Sequence, residues 1–224
     1  MAQKIVYFVR HGETILNAKS IRQGPDGPLS DKGRAQVLET AKKFLLEKER
    51  PEVMVASPFE RTRETATIIS KELGNMPIEY SELLIERKNP TEIVGHSGAE
   101  ETVQQIVDRI DKSYHDDSLR FSDEENFVDL RDRAKKLLEY IAARKENRLI
   151  MVTHGIFLKM VICYMLLGDA LTASEYNNLS HLNPMSNAGV TICSYTTSLF
   201  RKPQWKLLVW NNLEYVEHPQ EIEI

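Results

Sequence analysis

Two apolar runs, KIVYFV at 4–9 and LIMVT at 149–153, each lead into a histidine followed directly by glycine: Arg10-His11-Gly12 and Thr153-His154-Gly155. Short continuous runs rich in β-branched and aromatic residues are expected of strands covered on both faces, as in parallel sheets flanked by helices. VMVAS at 53–57 repeats the pattern. Between these runs the apolar residues return at helical intervals: Leu38, Ala41 and Leu45 after a cap at Ser30, and Ala66, Ile69 and Leu73 after Pro58. Strand alternating with helix predicts an α/β fold, a three-layer sandwich with a mostly parallel sheet of five to six strands and helices on both faces. The polar, acidic stretch from about 86 to 125 reads as a mostly helical insertion, and 131–145 as an amphipathic helix. GVTICSY (189–195) and WKLLVWN (205–211) read as a terminal strand pair separated by a turn containing Pro203. No repeat and no long linker interrupts the chain, so residues 1–224 are expected to form one domain.

Charge narrows the partners. With 33 acidic residues against 29 lysines and arginines, the net charge of −4 offers no general attraction to nucleic acid or to an anionic membrane. Any anion must therefore be held by a local site. The longest apolar stretch, MVICYMLLG from Met160, is shorter than the ~18–20 residues that cross a bilayer, and the N-terminus lacks the features of a signal peptide. A cytoplasmic location is expected. Cys163 and Cys193 lie in apolar company and are expected to be buried thiols rather than a disulfide. A monomer and a homodimer both fit the sequence.

In an open α/β sheet, ligands collect outside the carboxyl ends of the strands, where His11 and His154 are both expected. A lone histidine there is more often a hydrogen-bonded structural residue; two at neighbouring strand ends point to a site. Glycine after each removes a Cβ where backbone amides could approach an anion at a helix N-terminus, an arrangement that suits phosphate. Phosphate also needs fixed positive charge, best supplied by the planar fork of arginine. Arg10 adjoins the first histidine, and SPFERTRETA at 57–66 offers Arg61 and Arg63, which cannot both face one pocket. Release of an alkoxide requires a proton donor, for which Glu13, Glu60, Glu64, Glu82 and Glu86 are all near the relevant loops.

The blocks RHGETILN (10–17), QG (23–24), PLSDKG (28–33), SPFERTRET (57–65) and VTHG (152–155), with SNAGV in the tail, resemble the histidine phosphatase superfamily, the phosphoglycerate-mutase-like fold. The resemblance implies that His11 attacks phosphorus and carries the phosphoryl group, and that Arg10, Arg61 and His154 clamp its oxygens. It selects Arg61 over Arg63, and it selects Glu86, in an L-x-E stretch beyond the Arg61 block, as the acid. It places Asn17, Gln23 and Gly24 at phosphate or substrate contacts, beside the Gly12 and Gly155 already singled out as amides that could approach an anion. The family's arginine four residues after the asparagine is replaced here by Ile21, with Arg22 next in line as the substrate-binding candidate.

A phosphatase acting on small phosphate monoesters is therefore expected, with neither cofactor nor metal. Phosphoglycerate mutases of this fold continue the acid motif with Tyr-Gly, whereas Glu86-Arg87 is followed here by Lys88-Asn89-Pro90, and the insertion carries few cations. Metal hydrolysis is disfavoured by arginine beside the histidines and by the lack of a His-x-x-x-His pattern. An inert phospholigand-binding module on the same fold is the remaining alternative.

Overall fold

A computed structural model describes residues 2–113, 119–182, 184–198 and 200–213. In chain order its main elements are β1 (Ala2–Arg10), α1 (Ile15–Ala18), α2 (Asp31–Phe44), β2 (Val53–Ala56), α3 (Glu60–Glu72) and β3 (Ile78–Tyr80). They continue with α4 (Glu101–Ser113), α5 (Phe127–Ala143), β4 (Arg148–Thr153), α6 (Gly155–Leu167), α7 (Ala173–Leu182), β5 (Val190–Ser198) and β6 (Arg201–Asn212). The six strands form one sheet in the order β3-β2-β4-β1-β5-β6. β3, β2, β4 and β1 run parallel, and β5 and β6 complete the sheet through antiparallel pairings.

The alternation of side chains along a strand divides the core in two. From β1, Val6 and Phe8 face one side, where Leu130, Ala134 and Leu137 of α5 and Phe157 and Val161 of α6 cover them. Tyr7 and Val9 face the other, beneath Val37, Ala41 and Phe44 of α2 and Ala66 and Ile69 of α3. These are the three layers that the alternating pattern implies.

Several local expectations need correction. The buried stripe of α2 is Val37, Ala41 and Phe44, whereas Leu38 is half-buried and Leu45 is 38% exposed. Ala41 keeps its expected place, and the buried positions on either side of it fall one residue earlier than expected. Pro203 lies within β6, not in the turn, and the chain reverses between Ser198 and Arg201. Because β6 is an edge strand, a proline without an N–H is tolerated there. β3 is three residues long with no buried position, too short to leave a sequence signal. The insertion at 86–125 is less helical than expected: its described helical residues are α4 and a single 3₁₀ turn at Thr91–Ile93, with another turn at Glu82–Leu84 just before it, and positions 114–118 lie outside the described residues.

Helix α2 is anchored at its first turn. The Ser30 hydroxyl caps it by accepting from Gly33 N–H at 3.0 Å, and the Ser30 amide donates to the Glu13 carbonyl at 2.8 Å. Gly33 sits so close to the Glu13 backbone that a Cβ would collide with its carbonyl oxygen, and a Cβ on Gly12 would lie 2.6 Å from the Gly33 oxygen. Alanine in an open helix is favoured over glycine by ~1 kcal/mol, but the collision reverses the sign here. Gly33→Ala is expected to cost about 2–3 kcal/mol. Tm should then fall by roughly 5–10 °C, and an unchanged or raised Tm in thermal denaturation would contradict this packing.

Candidate active site

The register of the sheet assembles the site. Arg10 pairs with Thr153 across β1 and β4, so the next residues, His11 and His154, emerge side by side at the carboxyl ends of neighbouring strands. Ala56 pairs with Val152, which brings Ser57 and the first turn of α3 to the same edge. The two imidazole centroids are 5.2 Å apart at 60°. The His11 backbone is fixed by its N–H to Thr153 O at 3.0 Å and by Asn187 Nδ2 donating to its carbonyl at 3.2 Å.

Hydrogen bonds assign the tautomers. His11 Nδ1 lies 2.8 Å from the Gly12 carbonyl, an acceptor, so Nδ1 carries the proton and Nε2 keeps the lone pair. Arg61 Nε donates to His154 Nδ1 at 3.2 Å, which makes that nitrogen the acceptor and places the proton on Nε2, 2.9 Å from Ser57 Oγ. Both rings are buried, and burial first, then the charges of Arg61 and Arg10, hold both pKa values well below the ordinary imidazole value; His11 adds to this at His154. His154 is uncharged for a geometric reason as well: the Arg61 N–H occupies the nitrogen that would have to be protonated.

Arg61 is 2% exposed, and its Nη1 donates to the Gly24 carbonyl at 2.8 Å. Its pKa is lowered to about 10 by burial, against the opposing pull of Glu86, so it stays charged at neutral pH. Arg63 is exposed, with its guanidinium 4.4 Å from the centroid of Tyr80. Burial therefore separates the two candidates that spacing left equivalent. Arg10 donates from Nη1 to the Met185 carbonyl, while its buried Nε has no hydrogen-bond partner among the described residues. An unmatched buried donor of this kind suits an anionic oxygen.

Glu86 alone of the five carboxylate candidates lines the cleft. Its Oε1 accepts from Phe157 N at 2.9 Å and Arg87 N at 2.9 Å, and its Oε2 from Ile156 N at 3.2 Å, so it is seated on the first turn of α6. Glu13 is paired with Lys32 at 2.8 Å, Glu64 with Arg34 at 2.7 Å, Glu60 accepts from Gly27 N at 2.7 Å, and Glu82 is exposed.

The cleft measures about 590 Å³, and Asn17, Arg22, Gln23 and Gly155 line it with Arg10, His11, Arg61 and Glu86, whereas His154 does not. Arg22 reaches the cleft despite Ile21 holding the family's position, because its N–H donates to the His96 carbonyl at 2.9 Å and fixes the loop against the insertion. Gly12 and Gly24 do not line it. The Gly12 amide donates to Thr65 Oγ1 at 3.2 Å, so this glycine serves the packing on α2 rather than an anion; Gly24 acts through its carbonyl on Arg61. Gly155 does have a local reason, since a Cβ would come 3.2 Å from Arg10 Nε. Sequence reasoning missed Ser57, Asn89 and Lys159. Lys159 had a signal: it is the sole charge of α6, GIFLKMVICYMLL.

Among the described residues no group of three or more His, Cys, Asp or Glu could hold a metal, and no helix is long and apolar enough to cross a membrane. Cys163 and Cys193 are free and buried. The description of the histidine phosphatase superfamily, branch 1, matches residues 6–212. The chain belongs to that superfamily. It is 25% identical to a probable phosphoglycerate mutase, GpmB, of Citrobacter koseri over 96% of this chain and 95% of the relative. It is 29% identical to a metal-independent phosphoserine phosphatase of Arabidopsis thaliana over 78% of this chain and 73% of the relative. A solved mycobacterial glucosyl-3-phosphoglycerate phosphatase in complex with VO3 is similar at a TM-score of 0.73 and 25% identity, covering 93% and 98% of the two chains.

The histidine states give a direct test. Nitrogen-15 NMR at pH 7 should show both rings neutral, His11 as the Nδ1–H and His154 as the Nε2–H tautomer; an imidazolium at either position contradicts the assignment. The sign for stability follows. Groups whose folded pKa lies below the unfolded value of about 6.5 bind more protons when unfolded, so the protein should lose stability as pH falls below that value and hold it above.

Proposed function

We propose that this enzyme is a metal-independent phosphatase that hydrolyses phosphate monoesters of small molecules through a phosphohistidine on His11, with Glu86 as proton donor. The observation that carries the reading is the meeting of a neutral His11, the buried guanidinium of Arg61, the half-buried one of Arg10 and one carboxylate in a single cleft. His11 Nε2 attacks phosphorus as the ester P–O bond breaks, and Glu86 delivers a proton to the departing oxygen. Water then displaces the imidazole, giving its proton to the carboxylate, and inorganic phosphate leaves. Arg10 and Arg61 meet the charge spread over the phosphoryl oxygens, while His154, whose N–H is turned to Ser57 Oγ, holds the Arg61 guanidinium in place rather than meeting the oxygens itself.

Magnitudes explain why these groups must act together. Phosphate monoester hydrolysis can need up to ~10²¹-fold acceleration. An oriented electrostatic donor supplies roughly 10²–10³ and a general acid roughly 10²–10⁴. Covalent capture divides the remaining displacement into two in-line steps.

Two of the similar proteins are phosphatases, one of them metal-independent. The similarity to a probable mutase gives phosphoglycerate isomerisation a place as the second reading, against which stands the absence of Tyr-Gly after Glu86-Arg87. Two buried free thiols fit a reducing compartment, and the cytoplasm is the proposed location.

Incubation with ³²P-labelled ester should trap acid-labile, alkali-stable label on the wild type and none on His11→Ala, with turnover persisting in EDTA. Turnover by His11→Ala at the wild-type rate, or its loss in EDTA, removes the mechanism; net conversion of 3-phosphoglycerate to its 2-isomer faster than phosphate release installs the mutase. Glu86→Gln should slow alkyl phosphates by about 10²–10⁴ yet p-nitrophenyl phosphate by less than about tenfold, because a good leaving group needs little proton assistance. Equal losses on both would take Glu86 out of the acid role.

A further inference from the structure

The segment from Ile85 to Lys88 carries Glu86 and has no regular secondary structure of its own to hold it. One guanidinium does so instead. Arg133 of α5 donates from Nη1 to the Ile85 carbonyl at 2.7 Å and from Nη2 to the Glu86 carbonyl at 3.5 Å. Those oxygens belong to the peptide planes on either side of the Glu86 Cα, so holding both sets φ and ψ there, and with them the direction in which the side chain leaves the backbone. The guanidinium is itself gripped in a fork by Glu125, from Nε to Oε1 at 2.9 Å and from Nη2 to Oε2 at 2.7 Å. Glu125 Oε2 also accepts from Lys88 N at 2.9 Å, and the Glu125 amide donates to the Lys88 carbonyl at 3.1 Å, which fastens the far end of the segment.

The same guanidinium reaches the seat of the carboxylate. Its Cζ lies 3.8 Å from the ring centroid of Phe157, and Phe157 N donates to Glu86 Oε1 at 2.9 Å. Backbone and carboxylate of Glu86 thus rest on one set of contacts that joins α5 to the first turn of α6. Arg133 is not among the residues that line the cleft, and its side chain is only 12% exposed, so it has no direct contact with a substrate held there. Nor is stability a sufficient reason for it, since an apolar pair of similar volume is often as stable as a buried ion pair or more so. An apolar pair cannot hold two carbonyls at set positions. The planar fork of arginine, with five donors, can do that and bind a carboxylate as well.

We propose that Arg133, with Glu125 as its counter-ion, is a positioning residue for the proton donor. This rests on the reading of Glu86 as the acid, and it names what keeps that acid in line with the departing oxygen. A proton donor works within about 2.6–3.2 Å of the atom it protonates, and a displacement on the order of 1 Å is enough to cost a hundredfold in rate. His11 is held to that tolerance by the register of the sheet. Glu86, on a segment outside the sheet, is held to it by Arg133.

The test is a cycle of variants on two esters: p-nitrophenyl phosphate, whose leaving group needs little proton assistance, and whichever of glycerol 3-phosphate and 3-phosphoglycerate the wild type hydrolyses faster, whose alkoxide needs a proton. Arg133→Met should lower kcat on the alkyl ester by about 10- to 100-fold and on the aryl ester by less than about threefold, with each KM within about twofold of wild type. Arg133→Lys, which reaches a single carbonyl but cannot form the fork, should show a smaller loss with the same selectivity, and it carries the test if Arg133→Met does not fold by circular dichroism. In a Glu86→Gln background, Arg133→Met should leave the alkyl-to-aryl ratio within about twofold of that of Glu86→Gln alone, because a residue that acts through Glu86 then has nothing left to position. A structural role alone gives equal losses on the two esters in the single variant and additive losses in the double one. Either result overturns the proposal, as does an alkyl rate unaltered in Arg133→Met. The acid reading fails separately if Glu86→Gln by itself slows both esters alike, and the role of Arg133 falls with it; the phosphatase reading fails if the wild type hydrolyses none of the three esters.

Discussion

The N–H of Arg61 aimed at Nδ1 of His154 across 3.2 Å is the contact on which the site depends. It fixes one imidazole tautomer, holds a guanidinium beside the second ring, and does so where water is largely excluded from both. Burying cations without carboxylates in direct contact is unfavourable. The protein offsets part of that cost with backbone carbonyls, those of Gly24 and Pro25 for Arg61 and that of Met185 for Arg10. Carbonyl oxygens satisfy the donors without cancelling the charge. Positive potential is therefore retained where a phosphoryl group would gain most from it, and the same potential adds to burial in keeping the His11 imidazole unprotonated. A more stable arrangement with a carboxylate against each guanidinium would lose both effects.

Such a site requires backbone that does not shift, and the sheet supplies it. Ser57, His154 and His11 follow three neighbouring parallel strands, β2, β4 and β1, whose registers are pinned by core residues on both faces. A slip of one residue would exchange the faces of a strand and move its terminal side chain out of the cluster. The close approach of Gly12 to Gly33 serves the same end, since it seats α2 directly under the turn that carries His11. Stability and chemistry meet at that glycine pair.

What could be read in the sequence follows from how local each signal is. The strand ends at His11 and His154 and the cap at Ser30 are written in adjacent residues. The choice of Arg61 over Arg63 is not, because both open the same helix; it came through family resemblance and is explained by burial against His154 and Gly24. The role expected of Gly12 failed since its neighbour, Gly33, lies on another element, and nothing near Gly12 announces the contact. Pro203 read as a turn because the edge position of β6 is a property of the assembled sheet. Ser57 was hidden for a similar reason: its partner is 97 residues away.

The phosphoryl cradle and the cleft lip are built differently, and this separates chemistry from selection. His11, Arg61 and His154 are buried and anchored to strands or to the first turn of α3. The lip is loop tied to loop: Arg22 N–H to His96 O at 2.9 Å, Gly95 N–H to Arg22 O at 2.8 Å and Gly98 N–H to Ser20 O at 2.8 Å. Those bonds join the segment after α1 to the insertion, whose own contact with the core runs through few buried side chains, among them Ile93, Val103 and Ile110. Segments with little buried apolar surface open at lower free energy than core strands and tolerate substitution better. The lip can thus change in sequence, and with it the alcohol admitted, while the register that places His11 beside His154 is untouched. Glu86 stands at the junction, its backbone in the loop that leads to the insertion and its carboxylate fastened to α6, so that the proposed proton donor stays with the cradle however the lip is altered.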